Sequence, residues 1–298
     1  MNGALSESAL QFGENGRLLG ILTTPRHADS RLPVVVIPNT GIEHRVGPNR
    51  LHVQVARALS ARGYICLRFD LAGLGDSDPV PGAAPSAAAD LAEALDALDL
   101  RFPGSAYTLI GLCSGAHDAH QFGKTDARVS GLFLIDGYSY PTPAFTRKLW
   151  FARLAHPLRT ATRGLAQIKK SLGTAKEPEW MDFDFVRWPS MEATRADYQA
   201  MLGRGMHLAF LFTGDIQGDY LYAEQHYDCF PFLKGWARVW HFPGMDHTLT
   251  RVASRQQVIA IVRDWLQGLQ GGQGSVDIGF IAAVEGGFGA VQGSEGAR

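Results

Sequence analysis

The chain has 298 residues, 46% of them apolar, which is enough for one large domain with an insertion and a sizeable core. A net charge of −1 argues against a general electrostatic attraction to nucleic acid or to an anionic membrane. No run of 18 apolar residues suggests a membrane span.

Three cysteines with no pairing pattern, and an amino-terminal stretch without the basic-then-apolar order of a signal peptide, give the expectation of a cytoplasmic protein. No Cys or His cluster has metal-ligand spacing, so no metal or other cofactor is expected.

Residues 10–26 read as a hairpin turning at Glu14-Asn15-Gly16, with Pro25 ending its second strand. Leu32 to Ile37 is a nearly continuous apolar run, as in a strand buried on both faces of a parallel sheet. It opens into Pro38-Asn39-Thr40-Gly41. Leu51, Val55, Ala58 and Leu59 then recur at helical spacing, and Gly63 closes that helix.

A strand over 64–69 runs into the glycine-rich turn Asp70 to Ser77. Ser86 to Leu100, free of Gly and Pro, predicts an amphipathic helix. Strands follow at 107–112 and 129–135, the latter ending in Asp136-Gly137. Strand and helix alternate throughout this half, which implies right-handed βαβ units and a parallel sheet.

Residues 138–206 break the alternation with aromatics interleaved with Arg and Lys. They are expected to form a helical cap, basic over 146–172 with a break at Pro157. The alternation resumes with strands at 207–212 and 237–242 and a closing helix from Val252 to Leu269. Residues 270–298 are glycine-rich and read as a poorly ordered tail.

The stretch that organises the rest is Gly111-Leu112-Cys113-Ser114-Gly115, lying between an apolar strand and a helix. Small residues two before and two after Cys113 allow the sharp strand-to-helix turn of a nucleophile elbow. Ser114 does not fit the central place, because its own flankers would be Leu112 and Ala116, and leucine is too bulky. The expected nucleophile is therefore a thiol. Cys66, in an apolar strand, and Cys229, among aromatics, read as structural.

The elbow, the turn R-F-D-L-A-G-L-G-D-S and the late segment F-P-G-M-D-H-T together resemble the α/β-hydrolase superfamily over roughly residues 10–137 and 207–269. The stretch N-T-G-I-E-H-R-V-G-P-N-R is similar to serine-aminopeptidase-like hydrolases of bacterial gene clusters, including the exosortase-associated group. Those relatives mostly carry serine where this chain has Cys113, whereas dienelactone hydrolases also use cysteine.

The resemblance implies an α/β-hydrolase fold with a mostly parallel eight-stranded sheet. It divides the chain into a core of 1–137 and 207–269, a cap of 138–206 after the sixth strand, and the tail 270–298. It also implies the order nucleophile, acid, histidine, which is met by Cys113, then Asp215 or Asp219, then His247. Asp215 is favoured because it follows Gly214 at the end of a strand. Asp136, at the end of the preceding strand, is a third candidate, and Asp246 reads as a loop-shaping residue.

The oxyanion hole is expected from the Ser114 amide and that of Thr40 or Gly41. Asn39, His44 and Arg45 share that loop, while Asp70 and the turn 73–77 read as structural. The chemistry implied is acyl transfer through a Cys113 thioester, His247 taking the thiol proton. The expected reaction is cleavage of a thioester or ester, with transfer to a non-water acceptor as the alternative. A binding protein that has kept the fold is a third reading. The substrate is expected to be a small acyl compound, possible carriers being coenzyme A or a carrier protein.

Overall fold

The computed structural model describes residues 5–82, 84–155, 188–214 and 220–269. Their centre is one eight-stranded sheet in the order β1-β2-β4-β3-β5-β6-β7-β8. β1 (Leu5–Phe12) and β2 (Leu18–Pro25) form the expected hairpin, and β2 pairs antiparallel with β4 (Cys66–Phe69). From β4 onward every pairing is parallel, through β3 (Val34–Pro38), β5 (Tyr107–Leu112), β6 (Val129–Ile135), β7 (His207–Thr213) and β8 (Ala237–Phe242).

Alternation along the strands divides the core into two layers. Val34 and Val36 of β3 and Leu109 of β5 face α2 (Ala87–Asp99) and α3 (Ser114–Gly123). Val35 and Ile37, with Ile110 and Leu112, face α1 (Leu51–Ser60) and the final helix α7 (Val252–Gly268). Each leucine-sized side chain so buried contributes about 1.5–3 kcal/mol. α2 begins where the Ser86 hydroxyl accepts from the Ala89 amide, at 3.3 Å.

Of the expected cap, the structure describes α4 (Pro143–Ala155) and α5 (Met191–Gly203). α4 exposes Trp150 and Phe151. α5 behaves differently from the cap expectation: Tyr198 and Met201 are buried in the layer that also holds Phe210 and Phe230. Its apolar positions serve the core, so the helical layer begins again before residue 207. A short helix, α6 (Gln225–Cys229), completes the set. The rest of the expected cap, 156–187, and the tail from residue 270 lie outside the described residues.

The strand order turns at β3, which has β4 on one side and β5 on the other. Open parallel sheets of this kind hold their ligands outside the carboxyl ends of the strands, where the order reverses. The loops after β3 and β5 meet there.

Candidate active site

The elbow after β5 is built on two glycines. A Cβ on Gly111 would collide with the Gly115 carbonyl oxygen, and one on Gly115 would lie 2.9 Å from the Asn39 carbonyl oxygen. Strand, helix and the loop after β3 therefore approach more closely than side chains permit. The tight turn forces Cys113 to φ 57°, ψ −118°, a conformation that L residues rarely adopt. This strain sets the thiol at the surface at the head of α3.

A series of backbone bonds fixes the neighbouring strand ends in turn. The Cys113 amide donates to Ile135 (2.9 Å), the Asp136 amide to Leu211 (2.8 Å), and the Gly214 amide to Met245 (2.8 Å). Gly214 has no room for a side chain, since a Cβ would strike the Pro243 carbonyl. The loop after β8, which carries His247, is thereby held against the end of β7.

Three side chains meet along this rim. His247 Nδ1 lies 2.7 Å from Asp136 Oδ2, and His247 is also hydrogen-bonded to Cys113. Asp136 is buried, at φ 49°, and its carboxylate accepts two further bonds from the Thr213 amide and hydroxyl, each 2.7 Å. An ionised carboxylate is an acceptor only. The three bonds fix its orientation toward the imidazole.

The His247 pKa is pushed up to about 10. The bond to Asp136 is the largest cause and the bond to Cys113 the next, against the opposing effect of partial burial. With Nδ1 on Asp136, Nε2 remains for the sulfur.

The structure brings Cys113 and His247 together. The favoured acid, Asp215, and its alternative, Asp219, lie outside the described residues. The carboxylate on His247 is Asp136, the third candidate. Both β6 and β7 end in an Asp beside a Gly, so sequence alone hardly separates them. β6 adjoins β5, placing Asp136 one strand from the thiol.

Asp246 shapes its own turn, accepting from the Thr248 hydroxyl (3.0 Å), the Thr250 amide (2.8 Å) and the Thr250 hydroxyl (3.0 Å). The Asn49 amide group donates to the Thr248 carbonyl at 2.9 Å, tying the His247 loop to the head of α1.

The loop expected to complete an oxyanion hole lies against the elbow. The Gly41 amide donates to Ser114 Oγ at 2.5 Å. Thr40 is buried, its Oγ1 lying 3.8 Å from where a Gly115 Cβ would be. Beyond it, Arg45 pairs with Asp70 and, at 2.7 Å, with Asp76.

His44, Asp70 and Asp76 converge within 4.8 Å of one another, but the Arg45 guanidinium bridges both carboxylates. That cation makes the cluster an ion-pair network, which Ser77 extends by donating to the Asp70 carbonyl (2.7 Å). The glycine-rich turn is structural in this sense. A cavity of about 280 Å³, lined in part by Leu32, Val34, Ile65 and Phe102, lies at the opposite end of β3, away from Cys113.

Residues 34–279 match the Alpha/beta hydrolase family, and the chain belongs to it. Among solved structures, the chain is similar to the Pyrococcus furiosus esterase PF2001 (14% identity, 90% of this chain and 92% of that one, TM-score 0.55). It is also similar to a dienelactone hydrolase from Anabaena variabilis (13%, 89% and 98%, 0.54) and to the esterase domain of a Rhodothermus marinus protein (16%, 89% and 98%, 0.54). At these identities the likeness is one of fold. No curated protein matches the chain. Among the described residues, no helix is long and apolar enough to cross a membrane.

Proposed function

We propose that the protein is a cysteine-dependent hydrolase that cleaves an ester or thioester through an acyl-enzyme on Cys113. The observation that carries this reading is the continuous chain Cys113–His247–Asp136 on the carboxyl rim of the sheet. Two of the structural neighbours are esterases and one is a dienelactone hydrolase, in keeping with cleavage of an acyl bond.

In this reading His247 holds the thiol proton, leaving a thiolate that attacks the substrate carbonyl. The developing oxyanion lies at the head of α3, near the Ser114 amide and the 39–41 loop. His247 Nε2 gives its proton to the leaving oxygen or sulfur, and the acyl group remains as a thioester. Water then attacks that thioester, His247 takes its proton, and the thiolate departs with the acid released. Asp136 keeps the imidazole in one orientation and stabilises its charged form throughout.

The test is intact-protein mass spectrometry after brief exposure to a panel of acyl thioesters and activated esters. Wild type should gain the acyl mass, while Cys113→Ala should not. His247→Ala should acylate far more slowly. Full turnover by Cys113→Ala would sink the proposal. Running the same panel with added amines identifies the acceptor: an amide product in place of the free acid would make the enzyme a transferase on the same three residues.

A further inference from the structure

Ser114 offers the site a side chain as well as a backbone amide. Its Oγ accepts the Gly41 amide at 2.5 Å, bridging the loops after β3 and β5 at the point where they face each other. That bond commits one of the two amides expected to serve the oxyanion. Ser114 is half-buried at the head of α3 and Gly41 is exposed. Among the described residues the hydroxyl proton has no acceptor.

A hydroxyl that accepts a hydrogen bond is polarised and becomes a stronger donor of its own. We propose that the Ser114 hydroxyl, loaded by the Gly41 amide, donates directly to the oxyanion beside the Ser114 amide. The inference rests on the acyl-enzyme reading and deepens it by assigning a side-chain donor at that same site. The relay runs Gly41 N–H to Ser114 Oγ, and Ser114 O–H to the carbonyl oxygen of the substrate. No proton leaves serine. Its bond strengthens as charge builds on the substrate oxygen, so it acts on the transition state more than on substrate binding.

The experiment compares Ser114→Ala and Ser114→Thr with wild type in two reactions of the same thiol. The first is acylation by an acyl thioester or ester that wild type accepts, which develops an oxyanion. The second is alkylation by iodoacetamide, a displacement at a saturated carbon that develops none. Ser114→Ala should lose about 10²-fold in acylation rate, the cost of one missing oxyanion donor. Its KM and its alkylation rate should stay near wild type. Ser114→Thr, which keeps the hydroxyl, should recover most of the loss.

Equal or faster acylation by Ser114→Ala, with wild type acylating normally, would overturn this inference alone. It would mean that the freed Gly41 amide is the donor and that serine merely occupies the hole. A parallel fall in both reactions would also overturn it, by making Ser114 a structural brace of the thiol. If wild type itself forms no Cys113 adduct, the acyl-enzyme reading fails, and this inference fails with it.

Discussion

The rim of the sheet and its core contain the same reactive residue types, and the difference lies in what surrounds them. In the core, His226 is buried among Tyr198, Phe210, Phe212 and Phe230, and burial alone pushes its pKa down to about 3. His52 falls to about 4, chiefly for the same reason. On the rim, His247 rises to about 10, because Asp136 is aimed at it. The thiols follow the same division. Burial pushes Cys66 up to about 12 and Cys229 up to about 11, so both hold their protons. Cys113 is exposed and bonded to an imidazole. Burial alone thus lowers a core histidine, whereas His247 is raised where a buried carboxylate faces it.

The sharpest way to break this contrast is to remove that carboxylate's charge. Asp136→Asn should lower kcat by about 10³–10⁴-fold, the loss typical when the orienting acid of a triad becomes an amide. Asp215→Asn should stay within a few-fold of wild type. Steady-state kinetics on one activated ester checks both variants. Loss of activity in Asp215→Asn, with Asp136→Asn still active, would move the acid to the end of β7.

Next in size is the contrast between thiols. In the folded protein, iodoacetamide should add once, at Cys113, with Cys66 and Cys229 at least about 100-fold slower because they react only through opening of the core. Intact mass followed by peptide mapping gives the rates. A second adduct forming at a comparable rate would show that the core does not seal its cysteines.

Within the rim itself, Gly111→Ala and Gly137→Ala should differ. The first drives a methyl into the Gly115 carbonyl, a backbone obstacle that cannot rotate away. It should cost about 3 kcal/mol, at the upper end for overpacking. At Gly137 the nearest atoms are side-chain carbons at 3.6 and 3.7 Å, an ordinary contact. That substitution should change stability by less than about 1 kcal/mol, since the added methyl meets only ordinary contacts and none of the usual causes of a large loss applies. Urea unfolding of the two variants makes the comparison, and similar midpoints would mean the elbow can relax.

Much of this was legible in the sequence, for reasons that can be named. Apolar runs such as Val34–Ile37 and Leu132–Ile135 are long because both faces are covered, so the parallel strands declared themselves. The elbow showed because its glycines answer a steric requirement two residues either side of Cys113. Arg45 could be placed only in the loop after β3, and the structure pairs it with Asp70 and Asp76. The acid was less legible, since an Asp beside a Gly ends both β6 and β7 and chain order does not give distance. The Thr213 bonds that hold Asp136 join residues 77 apart in the chain. The Ser114–Gly41 bond spans 73, and no local pattern announces it. α5 fell within the expected cap because its buried face, Thr194, Tyr198 and Met201, carries few large apolar residues.

The smallest expected effect is also the one in which rim and core act with opposite signs. A histidine whose pKa is raised on folding binds its proton more tightly in the native state. His247 therefore contributes stability that is complete below its unfolded value, about 6.5, and is lost as pH rises toward about 10. His226, lowered to about 3, works in reverse: its contribution is complete above about 6.5 and is lost as pH falls. Urea midpoints from pH 5 to 10 for wild type and His247→Gln should therefore diverge most at the acid end of the range and converge toward pH 10. With His247 partly solvent-exposed, screening reduces the pH-dependent part to about 1–2 kcal/mol. His226→Gln should instead flatten the fall in stability below pH 6.5 and leave the alkaline limb unchanged. A wild-type alkaline limb that survives His247→Gln intact would mean that Asp136 does not hold the imidazole charged. The proton would then have to be found elsewhere on the rim.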